Sequence, residues 1–172
     1  MTGHAALTVL DAGTPLTFGL DDLMRYHGPG FPGGVAHGFT AMRRAWPLLD
    51  PAGAPERREI RVETAFRGPG GRDAIELVTR AATEDRFVVT ADLERPERGT
   101  TLERYVFRFH HRDRTVTVQI REGFVTDEFI ALGRATDRTA DQDARLVLLK
   151  QEMADRLLAR PPEEVYDVVD GS

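Results

Sequence analysis

The stretch TLERYVFRFHHRDRTVTVQI (Thr101–Ile120) alternates apolar and polar residues on both sides of a charged break. A period of two predicts strands, here over Thr101–Phe109 and Thr115–Ile120, joined by a turn at His111–Arg114. Tyr105, Phe107 and Phe109 fall on one face, while Arg104, Arg108 and His110 fall on the other. The stretch therefore reads as an antiparallel hairpin with one buried side.

Upstream, EIRVET (59–64) alternates in the same way and predicts a half-buried strand, and RFVVTADL (86–93) predicts another. Between them lie a sharp glycine turn, FRGPGG (66–71), and a short helix, RDAIELVTRA (72–81), with Ala74, Ile75 and Val78 inward. DPAGAPERR (50–58) reads as a surface loop. Before it, a helix starts at Pro32 or Gly33, carries Val35, Phe39, Met42 and Trp46 on one stripe, and ends at Pro47. PLTFGLDDLMRY (15–26) predicts a shorter amphipathic helix, and residues 1–14 read as a leader. Downstream, DEFIALGRA and TADQDARLVLLKQEMADRLLAR are helical and are stopped by Pro161 and Pro162. Strands and helices grouped in this order predict a single α+β domain, with a mostly antiparallel or mixed sheet packed against helices.

Composition narrows the function classes. The 172 residues are 41% hydrophobic and 30% charged, as in an ordinary globular domain, and the net charge of −5 offers no basic face for nucleic acid. There is no cysteine, so disulfides, thiolate ligands and cysteine nucleophiles are excluded. The only serine is Ser172, which removes a serine triad, and the only lysine is Lys150 in an arginine-rich chain. No strand leads into a dinucleotide fingerprint, and GPGFPGG lacks the Gly-Lys-Ser/Thr ending of a P-loop. The N-terminus has no signal-peptide pattern and no window is apolar enough to span a membrane. The expected location is cytoplasmic.

The residues that invite chemistry cluster in YHGPGFPGGVAHG (Tyr26–Gly38), with five glycines, two prolines and two histidines in thirteen residues. Such a loop permits a tight turn or a close approach of backbone to ligand. Tyr26, Gly28, Gly30, Gly33 and Gly34 are accordingly candidate ligand contacts, and the helix start at Pro32–Gly33 is a seat for an anionic group. His27 is the candidate general acid/base, because imidazole titrates near neutral pH; the alternative is a histidine that fixes the turn. His37, inside the helix, either reaches the pocket or packs at a helix contact. Glu63, near a strand end, is a candidate to orient His27 or share its proton. Asp73 either contributes to the site or caps its helix. His110 and His111 read as a solvated turn.

These blocks resemble the FmdE family, whose members are related to a component of formylmethanofuran dehydrogenase. Tyr26-His27-Gly28 with Pro32-Gly33 and Gly38 is similar to its His-Gly-His signature, Val62-Glu63-Thr64 to its Glu-Thr strand end, and Asp73–Thr79 to its Asp-Ala helix. The closing Leu157-Leu158 and Pro161–Tyr166 resemble its C-terminal end, so the likeness spans about residues 16–168. Pro29 stands in place of the second histidine, and the family's cysteines are missing. The resemblance implies an FmdE-like fold, a homodimer and a divalent metal such as Zn²⁺ near His27. The function expected is a small-molecule-binding domain, with acid/base chemistry of the lyase, isomerase or cyclase type centred on His27 and Glu63. The alternative is a metal-binding accessory protein without turnover.

Overall fold

The computed structural model describes residues 5–169. Strands β1 (Ala6–Asp11) and β2 (Thr14–Gly19) form a hairpin, followed by helices α1 (Leu20–His27) and α2 (Pro32–Leu49). Then come β3 (Ile60–Thr64), α3 (Pro69–Thr79), β4 (Phe87–Val89), β5 (Val106–His111) and β6 (Arg114–Ile120). Helices α4 (Asp127–Arg134), α5 (Ala140–Leu158) and α6 (Pro162–Val165) lead to a last strand, β7 (Tyr166–Val169). The main sheet has the order β4-β3-β5-β6-β7. The β3–β4 pair, joined through α3, is parallel; every other pair is antiparallel. This is the α+β domain with a mixed sheet that the alternation pattern predicts.

One face of the sheet carries Ile60, Val62, Phe107, Phe109, Val116, Val118 and Ile120, all buried, and α2 lies across it. Because α1, α3 and α5 cover α2 in turn, it is buried nearly all round and is apolar to match. Trp46 meets Phe109 edge to face at 5.3 Å between centroids, one of the contacts that lock α2 onto the sheet. The other sheet face shows Arg61, Glu63, Arg108, His110 and Thr115, so the alternation of the hairpin and of EIRVET assigns the two sides correctly.

Several boundaries differ from the sequence reading. Residues 6–14, read as part of a leader, belong to the domain: Leu7 and Val9 of β1 are 2% and 0% exposed and lie in the main core, while residues 1–4 fall outside the described residues. Residues 15–19 are strand rather than helix. The β1–β2 turn needs left-handed backbone at Ala12 (φ +50°) and Gly13 (φ +84°), and Glu56 fixes it by accepting both amides. A turn with Ala in the left-handed region has no signature in sequence. Pro47 lies within α2, which runs on to Leu49 with the Asp50 N–H bonded to Trp46 O.

The DPAGAPERR segment is not wholly a surface loop, because Arg57 is 6% exposed and donates to the Leu77 and Val78 carbonyls at the end of α3. Arg86 adds a bond to Thr79 O. The orphan carbonyls of α3 are thus closed by guanidinium groups instead of by a glycine cap. Thr101–Tyr105 is not strand: the Leu102 and Glu103 N–H groups turn back to Gly99 O. His111 is buried, and its Nε2 accepts from the Glu56 N–H. Strand β7 has no sequence signal because Tyr166–Val169 is too short to show a period.

Candidate functional site

The glycine loop is a junction of three helices. Gly28, at φ +86°, stops α1, and its N–H bonds Met24 O. His27, the last residue of α1, is engaged on both sides. Its Nε2 accepts the Phe31 N–H at 3.1 Å, which leaves Nδ1–H to donate to Asp73 Oδ2 of α3 at 2.8 Å. The imidazole therefore ties the end of α1 to the start of α2 and to the middle of α3. Its side chain is 6% exposed, and both nitrogens are occupied by these bonds. Asp73 is not a helix cap either; α3 begins four residues earlier, at Pro69.

Glu63 does not orient His27. It lies on the outer sheet face, where His110 Nε2 meets its Oε1, while His110 Nδ1 bonds Thr115 Oγ1. His37, in the second turn of α2, is fully buried. Tyr166 O–H donates to Nδ1 at 2.7 Å, and Nε2–H points to Met153 Sδ at 3.3 Å. Burial pushes the His37 pKa down to about 3, so the ring is neutral, and burial keeps Tyr166 a phenol well above its ordinary range. That arrangement fixes the tautomer.

The glycines mostly serve helix contact. A Cβ on Gly70 would lie 2.5 Å from Phe31 O and 2.7 Å from Val35 N, and one on Gly34 would lie 3.1 Å from Gly70 Cα. Both α2 and α3 begin Pro-Gly-Gly, at 32–34 and 69–71, and this shared start lets their first turns touch.

An apolar concavity lies beside that crossing and has a volume of about 400 Å³. Its walls are Phe31, Gly33 and Gly34 from the start of α2 and Phe66, Gly68 and Pro69 from the start of α3. Phe129 and Ile130 of α4 and Leu146 and Met153 of α5 close the apolar part. Tyr105 lines it as well, 5% exposed, with no hydrogen bond from its hydroxyl to the described residues. Burial raises the Tyr105 pKa, partly offset by the charge of Arg134. His37 sits just behind this wall, with ring centroids 4.7 Å from Tyr105 and 5.8 Å from Phe66.

The charged groups lining the cavity are Arg67, Arg104, Arg134, Arg138 and Lys150; among the described residues no Asp or Glu lines it. Their partners lie outside the lining and are too few to neutralise them. Glu94 is shared by Arg104 at 3.3 Å and Arg67 at 3.7 Å, and Arg134 reaches Glu103 only at 4.0 Å. Arg104 Nε is buried, and despite that approach it makes no hydrogen bond. Arg138 is committed to Asp143 and to the Leu132 and Ala135 carbonyls at the end of α4. Lys150 donates to Gly30 O at 3.3 Å and stands 4.0 Å above the Phe31 ring, with no carboxylate partner among the described residues.

Of the sequence candidates, Gly33 and Gly34 line this cavity, while Tyr26, His27, Gly28, Gly30, Glu63 and Asp73 do not. Tyr26 is 52% exposed beside α3. The metal implied by the family resemblance finds no donor set. His27 has one carboxylate neighbour, and among the described residues no group of three or more His, Asp or Glu side chains converges. The cavity residues escape a sequence reading because arginine is common throughout the chain, although the lone lysine and the doubled Pro-Gly-Gly are legible signals. No protein-family model matches the chain, and no curated protein matches it.

Proposed function

We propose that the protein binds a small organic anion with an apolar body in the cavity between α2, α3, α4 and α5. The observation that carries this reading is a lining whose charged side chains are all cationic, set among Phe31, Phe66, Phe129, Ile130, Leu146 and Met153. Low-dielectric walls strengthen the field of such a cluster and draw anions in, even on a chain with a net charge of −5. Arg104 and Arg134 suit a carboxylate or phosphate, and Tyr105 adds an O–H donor at the wall that no described residue engages. The size is that of an ordinary small-ligand site.

His27 and Glu63, whose side chains are spent elsewhere, do not reach such a ligand, whereas the Lys150 amine and the Tyr105 hydroxyl line the cavity. We also propose the FmdE-like assignment, supported by the contact of two of its motif blocks at His27–Asp73. The homodimer it implies would cover Val147 and Leu148 on α5, which are 65% and 57% exposed; sedimentation equilibrium tests it.

The binding reading is tested by thermal unfolding with 3-phenylpropionate, the matching alcohol and the matching amine. A ligand present at 100 times its Kd stabilises by about 2.7 kcal/mol, or roughly 5–10 °C for a domain of this size. The acid is expected to raise Tm, less so in high salt and less in Arg104→Ala, while the alcohol and the amine leave it unchanged. Equal shifts from all three compounds, or none from the acid, would overturn it.

A further inference from the structure

Lys150 is the one lysine of the chain and sits in the wall of the cavity, between Leu146 and Met153 on the same side of α5. Its Nζ is held by the Gly30 carbonyl and the Phe31 ring. Two influences that favour the free amine meet here, partial withdrawal from water and a neighbouring cation, Arg138. The Phe31 ring and the Gly30 carbonyl favour the ammonium, yet the net direction of the Lys150 pKa is downward. Tyr105, in the same cavity, keeps an O–H that no described residue uses.

We propose that Lys150 is a carbonyl-reactive amine and that the anion taken by the cavity is a 2-oxo acid, held as an imine on Nζ. This rests on the anion-binding reading above. The ammonium first releases a proton to solvent. The amine electron pair then forms the C–N bond, one of the two amine hydrogens passes to the carbonyl oxygen, and a carbinolamine results. The last hydrogen of that nitrogen leaves with the hydroxyl group as water, giving C=N. No oxidant or reductant is consumed. The arginines hold the carboxylate, and the Tyr105 hydroxyl is the donor available to the departing oxygen.

The test uses the whole protein with phenylpyruvate and cyanoborohydride near pH 7, in which hydride from the reagent and a proton from water convert the imine to a stable secondary amine. Intact mass and a tryptic map give the address, since alkylated Lys150 resists cleavage before Gln151 and the only other amine is the N-terminus. The expected result is one adduct per chain at Lys150, formed at least severalfold faster than in the urea-unfolded protein. It is absent in Lys150→Arg and suppressed by 3-phenylpropionate. Labelling only at the N-terminus, or at Lys150 no faster than in the unfolded chain, overturns the proposal. If 3-phenylpropionate still raises Tm in that case, the imine alone falls and the anion site stands. If neither acid binds, both fall.

Discussion

His27 and His37 differ in what their nitrogens do, and the consequences can be measured separately. His27 joins three helices through two hydrogen bonds, one to a carboxylate. His27→Ala is expected to lower stability by about 2–3 kcal/mol, the cost of leaving the partly buried Asp73 and the Phe31 N–H unpaired, while affinity for 3-phenylpropionate is unchanged. Urea unfolding and calorimetry on the same variant check both halves. His37 is neutral when folded, with its pKa depressed to about 3, and ordinary when unfolded. Above pH 6.5 neither state carries the proton and the group adds no pH dependence. As the pH falls below that value the unfolded chain takes up a proton that the folded one refuses, so stability drops by up to about 1.4 kcal/mol per pH unit until the folded pKa is reached. His37→Gln keeps a polar partner for Tyr166 and removes the titration. Its unfolding free energy is expected to fall less steeply between about pH 4.5 and 6, by roughly that slope; parallel curves would contradict the assignment.

At the scale of elements, the crossing of α2 on α3 depends on missing Cβ atoms. Gly70→Ala puts a methyl group 2.5 Å from a backbone oxygen, which neither helix can relieve without moving, and is expected to cost about 2–3 kcal/mol. Gly30→Ala, whose Cβ would meet nothing closer than His27 Nε2 at 3.9 Å, is expected to change stability by less than about 0.5 kcal/mol. Thermal unfolding of the pair checks the contrast. The strands β3, β5 and β6 are legible because their alternation survives in a sheet with one face buried, and α5 because Leu146, Leu149, Met153 and Leu157 recur at helical spacing. The β1–β2 hairpin is hidden, since TPLTFG alternates weakly and its turn relies on the distant Glu56. The glycine loop stands out in the sequence, but the cavity lies one helix turn beyond the histidine that marks it. Sequence shows that backbone must approach something; only the fold shows that the partner is another helix as well as a cavity.

For the whole molecule, the sheet supplies a rigid floor and α2 a buried beam, while the helices beyond leave one apolar opening ringed with positive charge. Its lining comes from separated stretches of the chain, at 31–34, 66–69, 100–105 and 129–153, so no single motif could reveal the site. The anion claim makes binding salt-dependent, because the arginines at the rim are partly exposed and screened. It also fixes where the ligand must sit. The most direct measurement is amide and methyl chemical-shift mapping with 3-phenylpropionate on the intact protein. Concentration-dependent shifts are expected at Gly33, Gly34, Gly68, Gly133 and the Met153 methyl, with Tyr26 and Gly28 unmoved. Shifts confined to the Tyr26–Gly30 loop, or none anywhere at millimolar acid, would contradict the anion claim.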